Sequence, residues 1–195
     1  MRPVTARITA AMVARSHGVA EPRWAPDGSR LGWIDSFDAR SDVVVAPADG
    51  TTPPVVVTAE CPVGGGWCWA GPDEVVVAAR DGRLLVVPVA GGEPRVISRD
   101  GHAAAPAVST RGEVAFTLER DDAEDIAVVP LDGSTWPVRV SDADFAWDAA
   151  WSPDGHRVAT DGLPRTVGVP DRDAGRVPRH VGEVPLDPGE PPPVR

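Results

Sequence analysis

Short runs of apolar, largely β-branched residues recur along the chain, and segments rich in glycine and aspartate separate them. Runs of this kind between turn residues are typical of antiparallel β-hairpins. Helical periodicity is absent outside residues 9–16. The pattern therefore predicts an all-β protein. The predicted strands include residues 31–34, 42–45, 74–78, 84–87, 114–117, 125–129 and 157–159.

The strands fall into units that share a turn sequence. Trp-Ala-Pro-Asp-Gly at 24–28 returns as Trp-Ser-Pro-Asp-Gly at 151–155, with a variant at 69–73, and Val108 takes the tryptophan position in the third unit. These anchors are 45, 39 and 43 residues apart, close to the period of about 40–45 residues of a propeller blade. The motif residues are Trp24, Pro26, Asp27, Gly28, Trp69, Pro72, Asp73, Trp151, Pro153, Asp154 and Gly155.

Each residue of the motif has a structural reason to be there. Proline presets φ for a tight turn, aspartate accepts hydrogen bonds from the backbone of the turn, and glycine takes the positive φ. We therefore interpret Asp27 and Asp154 as turn residues and not as catalytic acids. The anchor tryptophan is expected to pack on the next blade.

These units predict a partial β-propeller of about three to four antiparallel four-stranded blades. The blades are expected at about 20–66, 67–105 and 106–148, with a partial blade at 149–160. Residues 1–19 form an N-terminal segment that can hold a short helix. Residues 161–195 are predicted to be an irregular tail, because they contain 8 Pro and 5 Gly and proline is excluded from central strands.

The Trp-Ser-Pro-Asp-Gly repeat followed by an apolar strand resembles the TolB-type propeller repeat over residues 8–160. It also resembles the propeller of the prolyl oligopeptidase family of serine peptidases, in particular the acylaminoacyl-peptidase-like branch. In that branch a short segment such as Ile8–Ala11 leads into the first blade. The resemblance implies a propeller that covers a peptidase active site and restricts which peptides enter.

The chain offers no catalytic centre of its own. None of the nine serines lies in the Gly-x-Ser-x-Gly elbow of an α/β-hydrolase, so we expect this chain to lack the catalytic domain of that family. The glycines at 64–66 fit either an oxyanion loop or, more simply, an inter-blade loop. The four histidines form no i, i+4 pair. We predict no catalytic, cofactor-binding or metal-binding residue.

Two acidic segments and two cysteines leave alternatives open. Residues 121–125 are interpreted as a charged hairpin loop, with a cation site as the alternative, and residues 171–175 lack the third acid and the closing glutamate of a calcium loop. Cys61 and Cys68 are expected to be free or buried thiols, with a disulfide as the alternative.

The net charge of −10 disfavours nucleic-acid binding, because an acidic surface repels phosphate backbones. No run approaches the length of a membrane span, and residues 8–14 are too weakly apolar for a signal-peptide core. The chain is therefore expected to be cytoplasmic. Peptide or protein partners are expected at the propeller loops or at an open blade edge.

An incomplete ring leaves an apolar blade face in water, so we expect self-association. The proline-rich tail indicates either an ending produced by a shifted reading frame or a decayed gene, or a genuine disordered tail. Three functions compete: a non-catalytic, substrate-gating propeller fragment of a peptidase, a TolB-like scaffold for protein–protein interaction, and an enzyme that uses acids of the propeller. The first is preferred, because no cluster of convergent acids supports the third.

Overall fold

The computed structural model describes residues 17–120, 123–141, 145–163 and 180–185. Every regular element in these ranges is a β-strand, and no helix in them could cross a membrane. The all-β prediction is confirmed. The first sheet has the order β1 (Gly18–Trp24), β2 (Arg30–Phe37), β3 (Arg40–Pro47) and β4 (Val55–Val56).

Two further four-stranded blades repeat this meander, and the third is joined to the fourth. The second blade contains β5 (Val63–Trp69), β6 (Glu74–Ala79), β7 (Leu84–Pro88) and β8 (Arg95–Ser98). The third contains β9 (His102–Val108), β10 (Glu113–Arg120), β11 (Ala123–Pro130) and β12 (Val138–Arg139), and the fourth contains β13 (Phe145–Trp151), β14 (Arg157–Leu163) and β15 (His180–Pro185). One parallel pair, Glu124↔Phe145, links the third blade to the fourth.

The first strands begin at residues 18, 63, 102 and 145, not at the predicted boundaries 20, 67, 106 and 149. The shift has one cause: Trp24, Trp69 and Trp151 end the first strand of their blades, whereas the prediction placed the anchor near the start of a blade. The turn motif therefore connects the first strand to the second.

One strand lies in the segment that the sequence predicts to be irregular. β15 pairs with β14 in register from Arg157↔Pro185 to Gly162↔His180. Its sequence, His-Val-Gly-Glu-Val-Pro, has proline only at the last position, so the preceding N–H groups can join the ladder. The structure thus corrects the expectation for these six residues. The predicted N-terminal helix and the rest of the tail lie outside the described residues.

The core consists of three apolar layers between successive blades. The second blade lies in the middle, and both of its faces are buried: Val75 and Val77 pack towards the first blade, whereas Val76 and Ala78 pack towards the third. Burial on both faces explains why its strands are continuously apolar and do not alternate. Each fully buried valine stabilises the blade stack by about 1.5–3 kcal/mol relative to an exposed one.

Candidate functional site: the inner edge of the blade stack

The first strands of neighbouring blades lie close together and form the inner edge of the stack. β5 contacts β9, and β9 contacts β13. The outer strands β4 and β12 are only two residues long and exposed. The first strands, each seven residues long, therefore supply most of the backbone at the inner edge.

Each first strand is interrupted by a β-bulge at the same place. The residue three positions before the anchor has a positive φ in every blade: Glu21 at 49°, Gly66 at 99°, Ala105 at 46° and Asp148 at 55°. The ladder register shifts at each of these points. A bulge leaves one residue unpaired and bends its strand, so backbone polar groups are released along the inner edge.

Three of the four bulge residues are not glycines, although a left-handed conformation costs such a residue about 1–3 kcal/mol. Glu21 forms an ion pair with Arg23 at 3.1 Å, and the Arg23 guanidinium carbon lies 6.0 Å from the ring centroid of buried Trp67. Backbone strain that recurs at one position is a reason to look for function there.

The glycines at 64–66 belong to strand β5, which corrects the expectation of an inter-blade loop. A Cβ atom on Gly64 would lie 2.5 Å from the Cα of Arg80. A Cβ on Gly65 would lie 2.8 Å from the Cα of Ala104 and even closer to the carbonyl of Ala103. The close approach of β5 to the end of β6 within the second blade accounts for Gly64, and its close approach to β9 of the third blade accounts for Gly65.

A cavity of about 400 Å³ opens where β5 and β9 begin and β6 and β10 end. Backbone of the glycine-rich strand forms one wall, and Arg80, His102 and Glu119 supply polar side chains. Arg80 is oriented by a 2.7 Å hydrogen bond from Nη1 to the carbonyl of Ala39 in the first blade. In this cavity Arg80 can therefore bind a carboxylate, and Glu119 can bind a cationic group.

The Pro-Asp-Gly motifs form tight turns. In the first blade Gly28 N–H donates to the Ala25 carbonyl at 2.9 Å, and the Asp27 carboxylate accepts from the Ser29 backbone at 3.0 Å and its hydroxyl at 2.8 Å. In the fourth blade Asp154 accepts from Ser152 and His156 in the same way. These hydrogen bonds lower the pKa of both aspartates, and the donors at Ser29 and Ser152 are the leading causes.

The anchor tryptophans connect neighbouring blades, but towards the preceding blade and not the next one as predicted. Trp69 Nε1 donates to the carbonyl of Arg23 at 3.0 Å, and Trp151 Nε1 donates to the carbonyl of Ala107 at 2.9 Å. Both acceptors directly precede the anchor of the blade before. In the third blade, where Val108 replaces tryptophan, the smaller side chain packs against the apolar layer shared with the second blade.

A second repeated contact was not foreseen from the sequence. The hydroxyl of Thr58 donates to Asp42 at 3.1 Å and accepts from the backbone N–H of Val43 at 2.8 Å. In the third blade Ser141 makes the same two contacts with Asp125 and Ile126. The Asp–apolar dipeptide and a hydroxyl about 16 residues later are the sequence signal that could have revealed the pairing.

The acidic segment at 121–125 does not form a loop throughout. Residues 123–125 belong to β11, and Asp125 pairs with Arg139 at 2.7 Å. Asp121 and Asp122 lie outside the described residues, as does the segment at 171–175. Within the described ranges no group of three or more His, Cys, Asp or Glu side chains could hold a metal ion.

Cys61 and Cys68 are both buried and free, so the disulfide alternative is not realised. Burial raises the pKa of the Cys68 thiol to about 12 and also raises the pKa of Cys61. Neither thiol has the depressed pKa of a reactive cysteine. Their packing indicates a structural role.

Two of the histidines have defined partners. His17 Nδ1 lies 2.9 Å from Asp35, and its ring stacks on Phe37 at 4.6 Å between centroids. His156 lies 3.2 Å from Arg111 of the third blade. In the described part of the chain no serine hydroxyl bonds to either ring, so the His17–Asp35 pair is not part of a Ser-His-Asp arrangement there.

Comparison with known proteins gives relatives by fold and not by sequence. No protein-family model and no curated protein matches the sequence. Among solved structures, TolB from Acinetobacter baumannii matches with a TM-score of 0.63 and 16% identity, over 87% of this chain and 41% of that protein.

Two solved hydrolases are similar to the same extent. Puromycin hydrolase matches with a TM-score of 0.63 and 25% identity, over 82% of this chain and 30% of its own. The tricorn protease matches with a TM-score of 0.62 and 16% identity, over 89% of this chain and 18% of its own. The chain therefore spans less than half of these proteins. Its fold is that of the TolB-like β-propellers, which is also the fold of these hydrolase propellers.

Proposed function

We propose that the chain is a non-catalytic, substrate-gating propeller segment that admits short peptides to an active site carried outside its described blades. The likeness of fold to puromycin hydrolase, over 82% of this chain but only 30% of the other, is the observation that carries the proposal. The turn repeats also resemble those in the propeller of the prolyl oligopeptidase family of serine peptidases, and this resemblance supports the same proposal.

The inner edge has the chemistry that an extended peptide needs. The bulges at Glu21, Gly66, Ala105 and Asp148 interrupt the ladders, and a peptide backbone can satisfy the polar groups that a bulge leaves unpaired. The glycine-rich β5 brings the backbone close to the cavity without intervening side chains. A gate of this kind recognises main chain and not sequence.

The cavity supports a preference for peptides with free termini. Its volume of about 400 Å³ lies in the range of small-molecule sites, about 300–1,000 Å³. Arg80 matches the C-terminal carboxylate by a charge-assisted hydrogen bond, and Glu119 matches an ammonium group. His102, the first residue of β9 in the third blade, lines the same cavity.

The proposal is tested by titrating fluorescein-labelled tri- to hexapeptides with the protein and following the polarisation. Arg80→Gln and Glu119→Gln are expected to weaken binding about tenfold each, the loss of one charge-assisted hydrogen bond. Glu93→Gln, on the exposed β7–β8 loop, is the matched control and is expected to leave binding unchanged. Blocking both peptide termini is expected to weaken binding equally in the wild type and in the control.

Two results would overturn the proposal. If neither Arg80→Gln nor Glu119→Gln weakened peptide binding, the peptide would bind outside this cavity. Hydrolysis of a fluorogenic peptide panel by the purified chain, at rates that survive further purification, would show that the chain is itself an enzyme.

A TolB-like scaffold for protein–protein interaction is the second candidate, and Trp136 favours it. This side chain is 78% exposed and borders a groove of about 210 Å³ between the second and third blades. Tryptophan is enriched among residues that dominate protein interfaces. Failure of the whole peptide panel, with the fold intact, would favour the scaffold over the gate.

A further inference from the structure

The ladders show a fixed rule for which way each blade faces. In the second blade the anchor pair Trp69↔Val75 packs in the layer shared with the first blade, whereas Cys68↔Val76 packs in the layer shared with the third. In the third blade Val114, paired with Val108, lies in the layer towards the second blade, and Ala115, paired with Ala107, lies towards the fourth. Anchor pairs thus face backwards, and the pairs just before them face forwards.

This rule assigns to the first blade an inter-blade face that no other described blade covers. Gly32, the partner of Arg23, lies against Trp67 of the second blade, so the pair Trp24↔Leu31 points away from it. Trp24 is 60% exposed, against 8% for Trp69. Among the described residues none accepts a hydrogen bond from Trp24 Nε1, the atom that in Trp69 and Trp151 bonds to a preceding blade.

The opposite end of the chain presents the complementary face. Val158, paired with Trp151, is buried towards the third blade, so the pair Ala150↔Ala159 points away from it. A depression of about 480 Å³ opens there, lined by both alanines and by the turn at 151–154. Ala150 directly precedes an anchor, which is the position whose carbonyl accepts the indole N–H at the other two interfaces.

We propose that copies of this chain dock head to tail, with Trp24 of one copy in the Ala150–Ala159 depression of the next and its indole N–H on the Ala150 carbonyl. The occupant is a second copy because the donor that no described residue accepts from lies on the first described blade, and the matching acceptor lies on the last described blade of the same chain. Two copies would supply eight blades, within the range of about four to eight in closed propellers. This inference does not depend on the proposed function.

The contact has the properties of an interface anchor. A tryptophan buries about 150–250 Å² when covered, and its N–H gains a partner at the same time. The small side chains of Ala150 and Ala159 leave room for the indole, and the covered face removes apolar surface from water. An interface of this kind joins two different surfaces, so it forms a ring if the rotation closes and a filament if it does not.

The test is sedimentation velocity over a range of protein concentrations, with single substitutions on each face. Trp24→Glu and Ala159→Glu are each expected to weaken self-association about 30-fold or more, since either one removes the anchor contact. Ala90→Glu is the matched control, because Ala90 lies on the exposed β7–β8 loop of the second blade, away from both end faces, and its substitution is expected to leave self-association unchanged. Circular dichroism spectra and melting curves verify that each variant retains the fold.

A mixing experiment identifies the geometry. Trp24→Glu and Ala159→Glu chains, each monomeric alone, are expected to form a mixed complex when combined, because one intact Trp24 then meets one intact Ala159 depression. Loss of association with Trp24→Glu alone would instead indicate a symmetric contact and overturn the head-to-tail docking. A wild-type chain that remains monomeric at all concentrations would overturn it as well.

A second measurement covers the case in which a glutamate variant fails to fold. A Leu31→Cys chain mixed with an Ala159→Cys chain is expected to give an oxidised dimer on a non-reducing gel, whereas Ala90→Cys with Ala159→Cys gives none. The native thiols are buried and do not interfere. Equal cross-linking of the two mixtures would contradict the proposal.

Discussion

The indole nitrogen of Trp151 donates a 2.9 Å hydrogen bond to the carbonyl of Ala107, which lies 44 residues earlier in the preceding blade. Trp69 repeats the contact with Arg23, 46 residues earlier. The anchor of the turn motif therefore does two things: its neighbours shape a hairpin, and its ring connects that hairpin to the blade before. This dual use explains why tryptophan and not another large apolar residue begins the motif.

Replacement of Trp151 by phenylalanine is expected to lower the free energy of unfolding by about 1 kcal/mol, the net worth of one hydrogen bond, with a further loss from the smaller ring. Trp69→Phe is expected to cost at least as much, because its side chain is more deeply buried. Trp136→Phe, at an exposed position, serves as the control. Urea denaturation measures all three, and equal stability of wild type and Trp151→Phe would contradict the structural role.

Thr58→Val removes a hydroxyl that is completely buried and leaves the backbone N–H of Val43 without an acceptor. Valine has nearly the same shape, so the effect isolates the hydrogen bond. The expected loss is about 1–3 kcal/mol in the free energy of unfolding, the cost of an unsatisfied buried group. Thr52→Val, at an exposed position in the loop between β3 and β4, is the matched control. A loss for Thr58→Val no larger than the loss for Thr52→Val would contradict the assignment.

The sequence predicted those features that local chemistry determines. The period of the anchors, the Pro-Asp-Gly turns and the apolar strands of the second blade depend on neighbouring residues, and the structure has all of them. The bulges at Glu21, Ala105 and Asp148 could not be predicted, because none carries the glycine that usually signals a positive φ.

Contacts across blades escaped prediction as well. The direction in which Trp69 faces is determined by strand alternation and by the position of the anchor at the end of β5, which the sequence placed near the blade start. The cavity polar groups come from three strands: Arg80 follows β6, His102 begins β9 and Glu119 lies in β10. Nothing in their sequence spacing indicates that they meet.

Gly65→Ala is expected to destabilise the protein by about 1–3 kcal/mol, the usual cost of overpacking, because the new methyl group would overlap the backbone of β9. Gly18→Ala is the matched control: its Cβ would find its nearest neighbour at 3.6 Å, so ordinary contact results. Thermal unfolding monitored by circular dichroism separates the two. Similar melting temperatures for both variants would show that β5 does not approach β9 so closely.

Acid is expected to weaken the turns. The pKa of Asp27, Asp49, Asp132 and Asp154 is lowered in the folded chain by hydrogen bonds from residues in the same turn. Each therefore contributes stability that is present above the unfolded pKa of 3.8 and is lost as the pH falls through the lower folded value. Asp154→Asn keeps the acceptor oxygen but cannot titrate, so its stability should fall less between pH 4 and pH 2 than that of the wild type. An unchanged pH dependence would contradict this.

Alkaline pH is expected to act through Cys68. Burial raises its pKa from 9.0 to about 12, so the native chain keeps the proton that the unfolded chain releases. The stability linked to this thiol is complete below pH 9.0 and is lost progressively as the pH rises towards the folded value of about 12. Cys68→Ala removes the titration and should flatten the decline.

Thiol labelling tests the burial of Cys68 directly. At pH 8 the thiols of the native chain should react slowly with Ellman's reagent, and they should react fully in urea. Rapid labelling of the native chain would show that Cys68 is not buried between the second and third blades.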